Sequence, residues 1–187
     1  MSEALLIVDY TNDFVAPAGK LSAGAPAQAI APAINALAEQ FRAAGNFVFL
    51  PTDLHIAGDP YHPETRLFPA HNEAHTWGRQ YYGELANWFK QHKDERHVQA
   101  FPKRRYSSFA GTPLDQWLRE RDIKSLHITG VCTDICVLHT AIDAYNLGYT
   151  VTIHSAACAT FNPGGQDFAL NHFKNVLGAT VLLKISF

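Results

Sequence analysis

Short apolar runs alternate with longer segments of helical periodicity along this chain. The first run, at 4–9, is continuous enough to predict a buried strand. In the next segment Ile30, Ile34 and Phe41 share one helix face, and Gly45 is placed to end that helix. Strands are predicted at 4–9, 47–51, 97–100, 125–129, 150–154 and 180–183, and helices at 26–44, 113–121, 133–147 and 167–177.

This alternation predicts a layered α/β fold, because consecutive parallel strands need helical crossovers between them. The 187 residues suit a single domain spanning residues 1–187, since a chain of that length buries a substantial core. The segment 52–87 is an exception, being weakly periodic and rich in His, Pro, Tyr and Trp. Loops of that length in compact domains are usually functional.

Composition excludes several classes of function. The formal net charge is −2, with acidic and basic residues interspersed, which disfavours partnership with nucleic acid or anionic membranes. No apolar run approaches the length of a membrane span, and the N-terminus lacks the pattern of a secretory signal. Three cysteines without framework spacing are typical of reduced thiols in a cytoplasmic protein.

Polar residues follow the predicted strands where each strand ends. Asp9 follows the first strand, Asp53 and His55 follow the second, and Lys103 follows the third. Cys136 lies at the start of the helix after the fourth strand. Because open parallel sheets bind ligands at the carboxyl ends of their strands, these five side chains are expected to gather at one edge.

Cys136 is the candidate nucleophile. The dipole at a helix N-terminus stabilises a thiolate, and the N–H groups there are suited to receive an oxyanion. A nearby Lys103 lowers the thiol pKa further, and a nearby Asp9 accepts the proton and returns it to a leaving amine. Each residue also has an ordinary interpretation: an inert buried thiol, a solvated lysine, and a capping or turn-forming aspartate.

Asp53, His55 and His71 form a candidate metal site. The first two point to the same face of an extended chain, and two imidazoles with a carboxylate suit a first-row divalent cation. A D-x-H pair alone is a weak signal. By residue type alone three other histidines are equally suitable, and most are expected to be surface residues: His62, His75 and His92.

Aromatic residues in the loops offer either an apolar slot for a flat ring or packing for the loops themselves. His139, one turn after Cys136, is a helical neighbour of the thiol. It is expected to be a packing or surface residue rather than the partner in a Cys–His dyad. The aromatic candidates for the slot are Phe14, Phe68, Tyr106 and Trp77.

Four segments taken together resemble the isochorismatase-like cysteine hydrolases, and within them the nicotinamidases. The resemblance extends from residue 4 to about 180 and implies a three-layer, doubly wound α/β fold with a mostly parallel sheet of about six strands. The similar segments are Ala4 to Asp9 with Asn12-Asp13-Phe14 (opening strand and catalytic aspartate), Asp53-Leu-His55 with His71 (metal motif), Phe101-Pro-Lys103 with Tyr106-Ser-Ser-Phe109 (lysine segment, with a variant spacing), and Gly130-Val-Cys132-Thr-Asp-Ile-Cys136-Val137 (nucleophile segment).

The resemblance implies roles that spacing alone does not give. Cys136 attacks a carboxamide carbon to form a thioester, Asp9 shuttles the proton, and Lys103 supports the thiolate and keeps Asp9 ionised. The backbone N–H groups of Cys132 and Cys136 form the oxyanion hole, with a cis peptide bond before Cys132.

The resemblance also implies one bound divalent metal ion, with zinc as the first expectation and iron or manganese as alternatives. Its ligands are Asp53, His55 and His71, with Glu64 as an additional carboxylate found in one bacterial branch. The metal binds the pyridine nitrogen and orients the ring. The residues that match the family's ring-binding pocket are Phe14, Phe68 and Tyr106.

The expected activity is therefore hydrolysis of nicotinamide, and of pyrazinamide, in NAD salvage by a cytoplasmic homo-oligomer. A related amidase acting on a non-aromatic amide or ureido substrate is the alternative, and the metal set disfavours it. A catalytically inactive binding module is the third possibility. The presence of Asp9, Lys103 and Cys136 together argues against that module.

Overall fold

A six-stranded sheet runs through residues 3–184, the part of the chain that the computed structural model describes. Every strand pair is parallel, which confirms the predicted α/β class and makes the sheet wholly rather than mostly parallel. The strands are β1 (Glu3–Val8), β2 (Phe47–Asp53), β3 (Val98–Lys103), β4 (Ser125–Val131), β5 (Thr150–Ala159) and β6 (Thr180–Leu182). Their order across the sheet is β3-β2-β1-β4-β5-β6.

Helices cover both faces of this sheet, which gives the three expected layers. Side chains alternate along β1, so Leu6 packs with the core on one face and Leu5 with the core on the other. The first face carries the last three helices, and the second face carries α2, α3 and α4. The helices are α1 (Asn12–Val15), α2 (Gly24–Ala29), α3 (Ala31–Ala43), α4 (Glu84–His92), α5 (Leu114–Glu120), α6 (Leu138–Asn146) and α7 (Pro163–Asn175).

Several element boundaries differ from the sequence prediction. The helix predicted at 26–44 is divided into α2 and α3 at Ile30. The helix predicted at 133–147 begins as a π-helical turn, Thr133–Val137, before α6. The loop predicted at 52–87 contains the start of α4 and two 3₁₀ turns, Pro63–Arg66 and Trp77–Arg79. These short elements fall below the length at which hydrophobic periodicity is informative.

The strand order reverses between β1 and β4, and this reversal creates the crevice where ligands of such sheets bind. The two strands approach closely at Gly130, which pairs with Val8. A Cβ atom at Gly130 would lie 2.1 Å from the Val8 carbonyl oxygen, and φ there is +116°. Only glycine fits such a close approach. Among residues 3–184, no helix combines the length and apolar composition needed to cross a bilayer.

Candidate active site

Asp9, Lys103 and Cys136 meet at the carboxyl edge of the sheet. Lys103 Nζ lies 2.7 Å from Asp9 Oδ2 and 3.6 Å from Cys136 Sγ. The three residues are buried, with exposed fractions of 0, 1 and 7% in sequence order. The structure thus brings together an acid, an amine and a thiol that the sequence places after three different strands.

Backbone hydrogen bonds hold Asp9 in an unusual conformation. Its φ of +55° lies in the left-handed region, which costs roughly 1–2 kcal/mol for a non-glycine residue. The Asp9 N–H donates to the Pro51 carbonyl, and Asp9 Oδ1 accepts from the Asp53 N–H at 2.7 Å. These bonds tie Asp9 to β2 and leave Oδ2 directed at Lys103.

The electrostatics of the three groups differ from the sequence expectation in one respect. Burial raises the pKa of the Cys136 thiol well above its ordinary value, although Lys103 acts in the opposite direction. The expectation of a net lowered thiol pKa is therefore wrong, because burial of the sulfur outweighs the neighbouring ammonium. Burial also raises the pKa of Asp9, against the effect of Lys103. Although burial opposes it, Asp9 raises the pKa of Lys103 above its usual range.

The turn that carries Cys136 also presents Cys132. The peptide bond between Val131 and Cys132 is cis, as the resemblance implies. The Cys132 carbonyl accepts from the N–H groups of Ile135 and Val137, at 3.1 and 3.2 Å. Cys132 and Cys136 both line the same cavity, so the residues proposed for the oxyanion hole face one space.

Four buried side chains form a compact group suited to a metal ion. One nitrogen or carboxylate oxygen from each of Asp53, His55, Glu64 and His71 lies within 4.8 Å of all of the others. His55 Nε2 is 3.0 Å from Asp53 Oδ2, and His71 Nε2 is 3.6 Å from Glu64 Oε2. Two nitrogens and two carboxylates suit zinc and its first-row neighbours.

His71 provides a test of whether a cation fits this group. Its Nδ1 lies 2.8 Å from the Pro69 carbonyl, and an N–H there leaves Nε2 free to act as a ligand. Nε2 is buried, has no hydrogen-bond partner among the described residues, and lies 3.5 Å from Asp53 Oδ2. Burial alone lowers the pKa of His71, yet Asp53 and Glu64 raise it to about 10. The surrounding negative charge therefore favours a positive charge at this position.

The other candidate histidines lie outside the metal group. His62 uses both ring nitrogens: Nδ1 accepts from the Glu64 N–H at 3.3 Å, and Nε2 lies 2.9 Å from the Arg104 carbonyl. It therefore positions Glu64, a role that residue type alone did not reveal. The remaining candidates have no place in the site, since His75 is exposed and His92 pairs with Glu95.

An aromatic cavity of about 440 Å³ is lined by Cys136 and by Glu64 of the metal group. Phe14 and Phe68 line it and also pack against the His71 ring, with centroids 5.3 and 6.3 Å away. Trp77 does not line it and has half of its surface exposed, so its inclusion in the expected slot is wrong. His139 is exposed, as expected. The remaining lining residues include Tyr106, Ile135, Phe161, Leu21, Glu64, Cys132 and Cys136.

Asp13 is a buried acid that supports the site without belonging to it. Its Oδ2 accepts from the Asn72 N–H at 2.7 Å, directly after His71, and its Oδ1 accepts from the Lys20 N–H at 3.1 Å. Gly78 packs so closely that a Cβ atom there would lie 2.1 Å from Asp13 Oδ2. Asp13 thereby fixes both a candidate metal ligand and one wall of the aromatic cavity.

Asp13→Asn is expected to weaken zinc affinity about tenfold, because losing a support behind a ligand typically costs 10–100-fold. Zinc titration against a competing chelator measures the effect, and urea unfolding of the metal-free protein measures the accompanying loss of stability. Asp94→Asn, an exposed change, is the control and is expected to match the parent protein. Unchanged zinc affinity in the Asp13 variant would contradict this positioning role.

Known proteins similar to this chain share the architecture described above. The Bacillus subtilis protein PncA, described as an uncharacterized isochorismatase family protein, is 52% identical over 181 residues, covering 97% of this chain and 99% of that protein. The crystal structure of a nicotinamidase/pyrazinamidase PncA from Bacillus subtilis is 50% identical with a TM-score of 0.96, covering 97% of this chain and 100% of the other. The pyrazinamidase of Pyrococcus horikoshii in complex with zinc is 27% identical, with a TM-score of 0.84 and full coverage of both chains.

The family assignment follows from a match that spans nearly the whole sequence. The model of the isochorismatase family, described as "Isochorismatase domain", matches residues 3–184. The predicted family is therefore confirmed, and this chain belongs to the isochorismatase family.

Proposed function

We propose that this protein is a nicotinamidase that hydrolyses nicotinamide to nicotinate and ammonia. One observation carries the proposal: Cys136, from a buried thiol–amine–acid group, and Glu64, from a four-residue metal group, line the same ring-sized aromatic cavity. The Bacillus subtilis and Pyrococcus horikoshii enzymes described above support the choice of substrate. Pyrazinamide is expected to be a second substrate, because it keeps a ring nitrogen in the same relation to the carboxamide.

In the proposed reaction Cys136 is the nucleophile and Asp9 is the proton carrier. The thiol is protonated at rest because burial raises its pKa, so its proton passes to Asp9 as Sγ attacks the carboxamide carbon. The raised pKa of Asp9 favours accepting that proton. Asp9 then protonates the leaving nitrogen, ammonia departs, and a thioester remains.

The second half of the reaction reverses these roles. Asp9, again a carboxylate, takes a proton from water as that water attacks the thioester. The acid product leaves and the thiol regains its proton. In both halves the N–H groups of Cys132 and Cys136 stabilise the developing oxyanion, and the Lys103 ammonium offsets the negative charge that Asp9 and the sulfur share.

Asp53, His55, Glu64 and His71 would hold a divalent cation, which when bound supplies a Lewis-acid partner for the ring nitrogen. The donor set favours zinc, with iron and manganese as alternatives, and the zinc complex of the Pyrococcus horikoshii enzyme supports that order. Phe14, Phe68 and Tyr106 would enclose the ring, so the carboxamide is directed at Cys136.

Removing the metal is expected to raise the KM for nicotinamide far more than it lowers kcat. The pyridine ring loses its contact with the metal, but the Cys136 thiol is unchanged. Chelation followed by dialysis, and His71→Ala, are the two preparations. Ammonia release gives the kinetic constants, and metal analysis gives the content. His172→Ala on α7 is the control and is expected to behave as the parent.

A purified protein that contains no metal and does not hydrolyse nicotinamide, but cleaves a ureido or non-aromatic amide, would favour the alternative amidase.

A cytoplasmic location and a homo-oligomeric state also belong to the proposal. The three unpaired cysteines agree with a reducing compartment. Light scattering on the purified protein tests the oligomeric state.

A further inference from the structure

The four-residue metal group borders two cavities rather than one. Beside the aromatic cavity lies a polar cavity of about 180 Å³, which His55, Glu64 and His71 line directly. Glu64 and Phe68 line both cavities and so form a partition between them. The metal group is therefore bordered from a side that a substrate in the aromatic cavity does not occupy.

The polar cavity opens to solvent. Its ligand-lined end is buried, since His55, Glu64 and His71 are each less than 10% exposed. The rest of its wall comes from the loop 56–73, where exposed residues form the rim. These exposed rim residues are Ile56, Gly58, Thr65, Pro69 and Ala70.

Two carboxylates besides Glu64 line this passage, and their cationic partners lie outside it. Glu73 pairs with Lys20, at 3.1 Å, and Asp59 pairs with Arg104. Neither Lys20 nor Arg104 lines the polar cavity, and Lys20 lines the aromatic cavity instead. Negative charge in a narrow cleft raises the local concentration of cations.

The aromatic cavity is a poor route for a hydrated dication. Passing between apolar walls strips water from the ion, and an unpaired ion in such surroundings carries a large desolvation cost. The only carboxylate among its lining residues is Glu64, itself one of the candidate ligands. Its apolar walls are formed by Phe14, Leu21, Phe68, Tyr106, Ile135 and Phe161.

We propose that the polar cavity is the path by which a hydrated divalent cation reaches the metal group, separate from the path of the amide substrate. This inference rests on the proposed metal site. Glu73 and Asp59 attract the ion at the rim, and Glu64 at the partition is the first candidate ligand that both cavities share. A consequence is that the ion exchanges with solvent while the aromatic cavity is filled.

Blocking each cavity separately tests the path. Co²⁺ is mixed with metal-free protein, and the visible absorption of the bound ion gives association and dissociation rates. Ala70→Phe and Thr65→Trp narrow the polar cavity from different parts of its rim, and Leu21→Trp narrows the aromatic cavity. The two polar-cavity variants are expected to slow association and dissociation by the same factor of about ten, well within the range of rate changes among variants of one site. Leu21→Trp is expected to leave both rates unchanged while weakening nicotinamide binding.

Two charge variants separate the attraction of Co²⁺ by the Glu73 carboxylate from the effect of breaking the Lys20–Glu73 ion pair. Glu73→Gln is expected to slow Co²⁺ association roughly threefold at low salt, with less effect at high salt. Lys20→Met breaks the same ion pair but keeps the carboxylate, so faster association is expected. Equal slowing in both variants would show that the ion pair matters rather than the negative charge, and would overturn the role of Glu73.

Other outcomes are equally decisive. Slower Co²⁺ association in Leu21→Trp, with unchanged association in both polar-cavity variants, would mean that the ion enters through the aromatic cavity. That result overturns the proposed path through the polar cavity. A weaker equilibrium affinity without slower association means that the two rim residues shape the site, and this also overturns it. If Co²⁺ binding is absent from the parent, or unchanged by His71→Ala, the metal site itself fails. Cys136→Ala is expected to bind Co²⁺ as the parent does, because Cys136 is outside the metal group. Ammonia release by this variant would overturn the proposed chemistry and leave the ion path standing.

Discussion

Cys136→Ala is expected to lower the rate of ammonia release from nicotinamide by about 10⁴-fold or more, as removal of a covalent nucleophile does in other hydrolases. The alanine protein keeps the N–H groups proposed for the oxyanion hole, the aromatic cavity and the candidate metal group. Nicotinamide binding should therefore persist while turnover stops. A coupled ammonia assay measures the loss, and calorimetric titration with nicotinamide measures the retained binding.

Cys158→Ala is the matched control, because Cys158 is also a buried free thiol but does not line the aromatic cavity. Its activity is expected to stay close to that of the parent, with only a modest loss of stability from the removed sulfur. A Cys136 variant that retains more than about a hundredth of the parent rate would exclude thioester chemistry, since the residual binding and oxyanion effects do not replace a nucleophile.

Parallel strands made most of the fold predictable. The central strand β1 and its neighbour β2 are buried on both faces, so each appears as a largely apolar run whose position is visible in the sequence. The end of each strand is less visible. β3 continues through Pro102 to Lys103 because an edge strand tolerates proline, and β5 continues to Ala159 past the register shift opposite Gly130.

Residue type and strand position predicted that Asp9, Lys103 and Cys136 would meet, whereas Glu64 came only from the family resemblance. Neither source revealed the supporting contacts. Asp13 accepts from the Asn72 N–H and His62 contacts the Arg104 carbonyl, and both pairs are close only in the folded chain. The pKa of Cys136 also depends on tertiary burial, which position at a helix start does not report. A local dipole argument therefore gave the wrong net direction.

Lys103→Met is expected to lower the free energy of unfolding by about 3–5 kcal/mol, the usual cost of leaving one member of a buried charge pair without its partner. Asp9 and Asp53 would then face each other without the ammonium that lies 2.7 and 4.0 Å from their oxygens. Urea unfolding in the presence of a chelator measures the loss without a contribution from metal binding. Lys90→Met, an exposed change on α4, is the control.

The loss should depend on pH with a defined sign. In the variant, burial still raises the pKa of Asp9, and no ammonium opposes that shift. A carboxyl group whose folded pKa exceeds its unfolded pKa destabilises the protein at high pH, and the penalty disappears as pH falls through the folded pKa. The difference between Lys103→Met and the parent is therefore expected to be larger at pH 8 than at pH 5.

The double variant Lys103→Met/Asp9→Asn separates charge balance from catalysis. Replacing both members of the pair removes the uncompensated carboxylate, so most of the lost stability should return, although Asp53 still lacks its more distant cation. Ammonia release should not return, because neither the proposed proton carrier nor the cation beside the sulfur is present. Activity that recovers together with stability would show that Lys103 and Asp9 serve the fold alone. Stability that stays low would place the source of the loss outside their ion pair.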